Sequence, residues 1–298
     1  MRLDDEQESS NFEVQSGRGG GGFGFGGGGG GGGIFGLLLP LIGTRFGCLG
    51  IVVVVGIMFA MGINPLSLLG GGTGMAPTQQ SAPADTDPKA LTDVQHWSLK
   101  VLGSTERTWG KIFQAEGKQY EPTILSFYSQ EGTSGCGAAQ SAMGPFYCPT
   151  DKKVYLDTDF FTELRQRFGA PGDFAQAYVI AHEVGHHVQD LEGTLGEVNR
   201  KQRSVGEAQG NALQVKVELQ ADCYAGVWAK DTGLMEAGDL EEGMTAAQAI
   251  GDDTLQKSAG RRPVPESFTH GSSAQREAWL RKGLSTGDPA QCDTFAGA

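Results

Sequence analysis

The spacing of hydrophobic residues predicts regular structure in the C-terminal part of the chain. From residue 91, apolar side chains recur at intervals of three or four and predict a helix over 91–116, in which Gly103 and Gly110 weaken the pattern. β-Branched and aromatic residues predict a strand over 123–129 and a hairpin of two short strands over 147–157.

Helical spacing returns after the hairpin. It predicts helices over 159–168, 173–189, 217–226, 240–250 and 274–284, with Asp173 as the N-cap of the second and a polar connector over 194–210. The expected fold class is therefore α+β, a mainly helical domain at 91–298 with a small strand group.

Residues 1–90 follow a different pattern. Residues 1–33 begin acidic and become almost pure glycine, a composition that predicts a disordered tail or, alternatively, a low-complexity segment that binds a partner. Residues 34–69 are apolar, and 46–63 contain no charge, which predicts one transmembrane helix over about 46–63. A buried core helix is the alternative, but the run is not amphipathic. Residues 70–90 are rich in Gly, Pro and Ser and predict a linker.

Charge gives an orientation for that predicted helix. Arg2, Arg18 and Arg45 precede it and Lys89 is the first basic residue after it, which favours a cytoplasmic N-terminus. We therefore expect a single-pass protein of the inner membrane whose C-terminal domain is periplasmic or extracellular. The formal net charge of −12 argues against a nucleic-acid partner, because no basic patch is available to neutralise phosphates.

The cysteines agree with an exported domain. Cys48 lies in the predicted span, and Cys136, Cys148, Cys223 and Cys292 form an even set beyond it. Four cysteines allow three pairings; we favour Cys136–Cys148, which closes a short loop, and Cys223–Cys292, which ties the C-terminal tail to a helix.

Residues 181–189 carry the chemistry on which the functional interpretation depends. They contain His-Glu-x-x-His, and on a helix His182 and His186 lie one turn apart on one face, where both imidazoles can reach one metal ion. Glu183 is adjacent and can act as the general base toward a metal-bound water. Two protein ligands leave a catalytic zinc site incomplete, so a third is expected.

The third ligand is expected on the next predicted helix. Glu218 and Asp222 are four residues apart in an apolar stretch, where unpaired carboxylates are costly. We therefore interpret Glu218 as the third ligand and Asp222 as an acceptor for the outer N–H of a ligand imidazole. The alternative is a solvated acidic face.

These motifs resemble those of the bacterial neutral zinc metallopeptidase family, whose members are gluzincin-like and take a third ligand from a second helix. The resemblance spans most of residues 91–298. It is carried by 182–189, 218–228, 136–137, 144–149, 154–157, 172–176, 247–253 and 268–271. It implies a zincin-like domain that binds Zn²⁺ and hydrolyses a peptide or protein substrate.

The resemblance also suggests roles for residues outside the zinc motif. His270, followed by Arg276, is similar to His-to-Arg segments near gluzincin active sites and is expected to stabilise the oxyanion; the alternative is an incidental loop histidine. His187 must point away from the ligand face and is expected to be structural. The strand at 154–156 is expected to be a sheet edge that pairs with substrate. A zinc-stabilised scaffold without activity is the competing function.

Overall fold

The computed structural model describes residues 1–15, 91–141, 144–166, 169–170 and 172–296. The predicted transmembrane span at 46–63 and the predicted linker at 70–90 lie outside these residues. Among the helices that the model describes, none combines the length and hydrophobicity needed to cross a membrane.

Helices dominate the described part of the chain, as the hydrophobic periods predict. They are α1 (Asp93–Ala115), α2 (Phe160–Gln166), α3 (Asp173–Leu191), α4 (Thr194–Gln202), α5 (Glu207–Thr232), α6 (Asp239–Ala249), α7 (Asp252–Ser258) and α8 (Ser273–Thr286), with short 3-10 turns at Pro265–Ser267 and Pro289–Cys292. Helix α1 runs unbroken through both of its glycines. It begins at a capping box in which Thr92 and Gln95 bond each other's backbone.

The core lies where α5 packs against α1, α3 and α8. Trp228 of α5 is stacked parallel to Phe174 of α3 at a centroid distance of 6.4 Å, and Trp109 of α1 meets Tyr224 of α5 edge-on at 5.2 Å. These aromatic side chains are almost fully buried. Large apolar side chains on three helices therefore fix the position of α3 relative to α5.

A four-stranded sheet flanks the helices. Its order is β1 (Phe12–Val14), β2 (Ile124–Tyr128), β6 (Lys153–Asp157) and β5 (Phe146–Cys148), with β1, β2 and β6 parallel and β5 antiparallel to β6. A separate hairpin is formed by β3 (Glu131–Ser134) and β4 (Gly137–Gln140). The predicted strand at 123–129 and the hairpin over 147–157 are confirmed.

The predicted edge strand is wrong. Residues 154–156 belong to β6, which is hydrogen-bonded on both sides by β2 and β5, so its backbone has no free edge. The edge is β5. The prediction failed because the two strands of a hairpin have similar β propensity. The sequence pattern of a hairpin does not show which of its strands will pair with a third strand of the sheet.

The polar connector predicted over 194–210 is largely helical. It contains α4, and α5 already begins at Glu207. Leu195 and Val198 lie on one side of α4 and pack with Leu213 and Val217 of α5. Two apolar residues on one side of a short helix are enough for it to pack against a longer helix. They give only a weak hydrophobic period in the sequence, so the helix was not predicted.

Both favoured disulfides are present. Cys136–Cys148 joins the turn of the β3–β4 hairpin to the last residue of β5, and Cys223–Cys292 joins α5 to the C-terminal 3-10 turn. The first bridge fastens the edge strand from one side. The second holds the C-terminal tail on the helix that carries Glu218.

The first fifteen residues correct part of the expectation of a disordered tail over 1–33, of which 16–33 lie outside the described residues. They cross α1 and then add β1 to the sheet, where Phe12 pairs with Leu125 and Val14 with Phe127. Met1 and Leu3 are buried in the main core, at 7% and 3% exposure. The segment over 1–33 contains few apolar residues, so its average composition predicts disorder. The few apolar side chains within residues 1–15 are nevertheless placed where they pack against the domain.

The predicted N-cap at Asp173 is also wrong. Gly172 is the N-cap, with φ of 140°, and Asp173 is the first residue of α3. Its carboxylate binds the N-terminal ammonium of Met1 at 2.7 Å, and buried Asp239 binds the same ammonium at 3.1 Å. The start of α3 is thus held by the N-terminal segment.

Gly103 of α1 lies directly against this N-terminal segment. A Cβ at Gly103 would lie 2.5 Å from the carbonyl oxygen of Gln7 and 3.1 Å from the amide nitrogen of Ser9, whereas a Cβ at Gly110 meets nothing within 4 Å. We expect Gly103→Leu to displace the segment and to lower the melting temperature of the purified chain by about 5–10 °C, because Met1 and Leu3 lose their burial.

The matched control is Gly110→Leu in the same helix. It should leave the melting temperature unchanged or raise it slightly, since leucine favours a helix over glycine by up to about 1 kcal/mol. Equal melting temperatures for the two variants would contradict docking of residues 1–15.

Candidate metal centre

Three side chains converge where α3 crosses α5. His182 and His186 lie one turn apart on α3, and their Nε2 atoms are 3.2 and 3.6 Å from Oε2 of Glu218 on α5. One ligand atom from each of the three lies within 4.8 Å of the others. The structure thus brings together all three predicted ligands.

Gly185 permits this convergence. It lies between the two histidines on the side of α3 that faces α5, and a Cβ there would be 3.1 Å from Cα and backbone oxygen of Ala221. A larger residue would force the two helices apart and withdraw Glu218 from the imidazoles. The glycine in the middle of the motif is therefore explained by the close approach of two backbones.

The outer nitrogen of each imidazole is hydrogen-bonded to an acceptor. Nδ1 of His182 is 2.8 Å from Oδ1 of Asp222, and Nδ1 of His186 is 2.8 Å from Oε1 of Gln189. The amide of Gln189 is oriented by its nitrogen, which donates to the carbonyl of Val217 at 2.8 Å and to Oε1 of Gln220 at 2.9 Å. A proton on each Nδ1 satisfies these bonds and leaves Nε2 of each imidazole facing Glu218, where it can give its lone pair to a metal ion.

This donor set fits a zinc ion. Two lone pairs and a carboxylate oxygen face one another, and acceptors in such a group repel unless a cation or a proton lies between them. Ligands about 2 Å from a tetrahedral zinc ion stand roughly 3.3 Å apart, which the observed separations of 3.2 and 3.6 Å match. Two imidazoles and a carboxylate are also the chemistry that zinc prefers in catalytic sites.

A proton competes with the cation for this position. Burial alone would lower the pKa of His182, but the nearby Asp222 and Glu218 carboxylates outweigh it and raise the pKa to about 9. Burial would likewise raise the pKa of Glu218, and the two imidazoles hold it well below its usual value. The carboxylate is thus ionised and ready to bind a cation.

Asp222 anchors the site from behind. Its carboxylate accepts from His182 and from the Tyr178 hydroxyl at 2.6 Å, and it forms a two-pronged ion pair with Arg276, from Nε at 2.9 Å and from Nη2 at 2.8 Å. Burial would raise the pKa of Asp222, but Arg276 and His182 keep it below the usual value. Removing one member would leave an unpaired buried charge.

A cleft of about 680 Å³ opens onto the three ligands. Glu183 lines it beside the histidines and is only 7% exposed. Burial raises the pKa of Glu183, and the two imidazoles partly oppose that rise. A carboxylate whose pKa is raised is a better proton acceptor, as a general base requires.

His270 lies on the same cleft, and its side chain is about half exposed. Asp252 organises its loop: one carboxylate oxygen accepts from the backbone amides of 269, 270 and 271, and the other is 3.3 Å from Nδ1 of His270. The hydrogen bond to Asp252 raises the pKa of His270. The structure therefore brings His270 to the cleft with its Nδ1 turned toward Asp252.

Comparison with known proteins gives the family. The family model described as "Putative neutral zinc metallopeptidase" matches residues 1–295. The chain belongs to this family. It is 47% identical over 249 residues to the uncharacterized protein YpfJ of Escherichia coli K12, covering 83% of this chain and 86% of the relative. It is 42% identical over 238 residues to the uncharacterized protein Rv2575 of Mycobacterium tuberculosis H37Rv, covering 75% and 78%. No solved structure matches.

Sequence reasoning missed two residues that support the ligands: Gln189, which bonds His186, and Tyr178, which bonds Asp222. Tyr178 and Gln189 lie on α3 with the ligands, four residues before His182 and three after His186, so all four form one stripe along the helix. That spacing was available in the sequence. Arg276 was noted only as a neighbour of His270, and nothing in the sequence pairs it with Asp222 across 54 residues.

His187 points away from the ligands, as expected. It is 1% exposed; its Nε2 donates to the carbonyl of Glu121 at 2.6 Å, and its Nδ1 is 3.1 Å from the hydroxyl of Tyr147. That hydroxyl donates to Asp190 of α3 at 2.9 Å. Tyr147 is on the edge strand β5 and lines the cleft, so these bonds fasten the edge strand to the helix that carries both histidines.

Gln189 offers a test of the metal centre. We expect Gln189→Leu to weaken zinc binding about 10- to 100-fold, because His186 loses the acceptor that fixes its tautomer. Competition with a chromogenic chelator measures the affinity. Gln176→Leu on the same helix is the control, since that amide only bonds the carbonyl of Gly172 at 3.2 Å. Equal affinities in the two variants would refute the role of Gln189.

Proposed function

We propose that the chain is a zinc-dependent endopeptidase. The observation that carries this proposal is the pairing of a three-ligand site with a buried carboxylate, Glu183, in an open cleft. A structural zinc site would close its fourth position with a protein ligand and would have no use for a base beside it. Membership in a zinc metallopeptidase family supports the same activity.

In the proposed reaction His182, His186 and Glu218 hold the ion. When bound, zinc supplies Lewis acidity, which acidifies a water and polarises the carbonyl of the substrate. Glu183 takes the proton of the attacking water and then delivers it to the nitrogen of the leaving amine, so its carboxylate is regenerated. His270 donates an N–H to the oxygen on which negative charge develops, while Asp252 keeps its ring oriented.

The proposed substrate is an extended peptide lying along β5. The strand has no partner on its outer side among the described residues, and Phe146 and Tyr147 line the cleft. Backbone pairing with an edge strand is a common way to bind peptides without regard to sequence. The bond to be cut would then lie between the edge strand and α3.

The walls of the cleft favour apolar side chains on the substrate. They are formed largely by Phe146, Phe160, Val179, Leu195, Val198, Val217, Ile250 and Leu255. The one lysine or arginine among the residues lining the described cleft is Arg276, and it is already paired with Asp222. We therefore expect peptides with hydrophobic residues near the scissile bond to be preferred over acidic ones. We also propose that the apolar residues 34–69 attach the chain to a membrane.

Substitution of Glu183 tests the activity directly. The zinc-loaded full chain in detergent should cut a mixed peptide library, and Glu183→Gln should lower the rate about 10²- to 10⁴-fold while zinc stays bound. Mass spectrometry of the products gives both the rate and the preferred residues. Cleavage that persists in Glu183→Gln would overturn the assigned base. No cleavage by the parent would favour a zinc-stabilised scaffold.

Tyr147 tests the edge strand. Tyr147→Phe removes the hydroxyl that donates to Asp190, and we expect kcat/KM to fall about three- to tenfold, mainly through KM, with zinc affinity unchanged. Tyr120→Phe is the matched control. Tyr120 packs edge-on against the same His187 ring at 5.8 Å, but its hydroxyl has no hydrogen-bond partner among the described residues. Equal KM values in both variants would show that the bond between β5 and α3 does not contribute to substrate binding.

A further inference from the structure

Residues 1–15 are an integral part of the domain that begins at residue 91. Backbone bonds tie the two together along the segment: Arg2 donates to Leu234, Ser9 donates to Leu99, and Leu125 donates to Asn11, all at 2.9 to 3.0 Å. Beyond β1, Gln15 donates to the carbonyl of Phe127 at 2.8 Å. The contacts therefore continue from the first residue of the segment to the last.

Side chains reinforce this docking. Ser9 and Asn11 both donate to Oε1 of Glu106 on α1, at 2.6 and 2.9 Å, and Lys153 of β6 binds Glu13 at 2.7 Å. The amide of Gln15 bonds Thr133 of β3 in both directions, each at 2.9 Å. The bonded groups come from α1, β3 and β6, which lie far apart in the sequence. A segment that merely rested on the surface would not satisfy polar groups on so many elements.

The docked segment constrains how the chain can meet a membrane. Residue 15 and residue 91 both belong to one folded body, so the N-terminal segment and the domain lie on the same side of any bilayer. The single crossing predicted from the uncharged run at 46–63, with the N-terminus on one side and the domain on the other, does not accommodate this.

The disulfides indicate on which side of the membrane the folded body lies. Cys136–Cys148 and Cys223–Cys292 both form within the same folded body. Such bridges persist in oxidising compartments and are rare where thiols are kept reduced. The domain is therefore expected outside the cytoplasm, and the N-terminal segment with it.

We propose that the N-terminal segment and the metal-binding domain lie together on the same, non-cytoplasmic side of the membrane. This goes beyond the peptidase proposal and does not depend on it. The domain would be completed only when residues 1–15 reach the compartment in which residues 91–296 fold. The orientation expected from the arginines near the N-terminus would then be reversed for that segment.

Cysteine labelling of the full chain in membranes tests the proposal. Cys48→Ser gives a background in which the remaining cysteines are in disulfides. Asp5→Cys and Ser285→Cys then place one thiol on the segment and one on the domain, both at exposed positions. Sealed right-side-out vesicles are treated with a membrane-impermeant maleimide, before and after detergent. We expect both thiols to be labelled before detergent. Labelling of one thiol in sealed vesicles and of the other only after detergent would overturn the proposal.

A cross-link in the same vesicles tests the docking itself. Gln15→Cys with Thr133→Cys replaces a pair that is hydrogen-bonded in the docked segment, and a short bismaleimide should join them in high yield. Adding Gly103→Leu, which blocks the segment's path, should abolish the cross-link, whereas Gly110→Leu should leave it. Absence of the cross-link in the double-cysteine chain would overturn the premise that residues 1–15 are docked in the membrane-associated protein.

Discussion

The organisation of the domain depends on three metal-binding atoms that need a cation or a shared proton between them. Two imidazole nitrogens and a carboxylate oxygen meet at the crossing of α3 and α5, each held there by bonds made on its far side. Gln189 and Asp222 fix the orientation of the two rings, so neither can turn its Nε2 away from Glu218. The packing of α5 against α1, α3 and α8 supplies the energy that keeps these helices together.

The sequence predicted the parts of this arrangement that repeat along one helix. His182, Glu183 and His186 share a motif with fixed spacing, and Glu218 and Asp222 are unusual as carboxylates in an apolar helix, so both groups could be placed. The partners that come from elsewhere could not. The ion pair between Arg276 and Asp222 is made across two helices, and only the folded chain brings them together. The helices could be predicted for the same reason, because the hydrophobic period of a helix is contained in its own stretch of sequence.

The strands show where local information fails. The strand β1 contains three residues and lies in a segment whose average composition indicates disorder. Its pairing with β2 is set by contacts more than a hundred residues away, which no window of sequence contains. The same limit explains the edge strand: β5 and β6 look alike in sequence, and only the arrival of β2 beside β6 decides which of them keeps a free side. Composition also misled at residues 1–15, since the glycine-rich remainder of the tail dominates the average.

The buried charges around the cleft affect the stability of the domain. Glu183, Glu218 and Asp222 lie near one buried guanidinium, that of Arg276, so with these carboxylates ionised and both imidazoles neutral the site holds an excess of two negative charges. A divalent cation cancels this excess, whereas a monovalent one does not. Part of the free energy of zinc binding is then free energy of folding. Without a bound zinc ion the domain would be less stable. The supply of metal in the compartment would then set the amount of folded protein as well as its proposed activity.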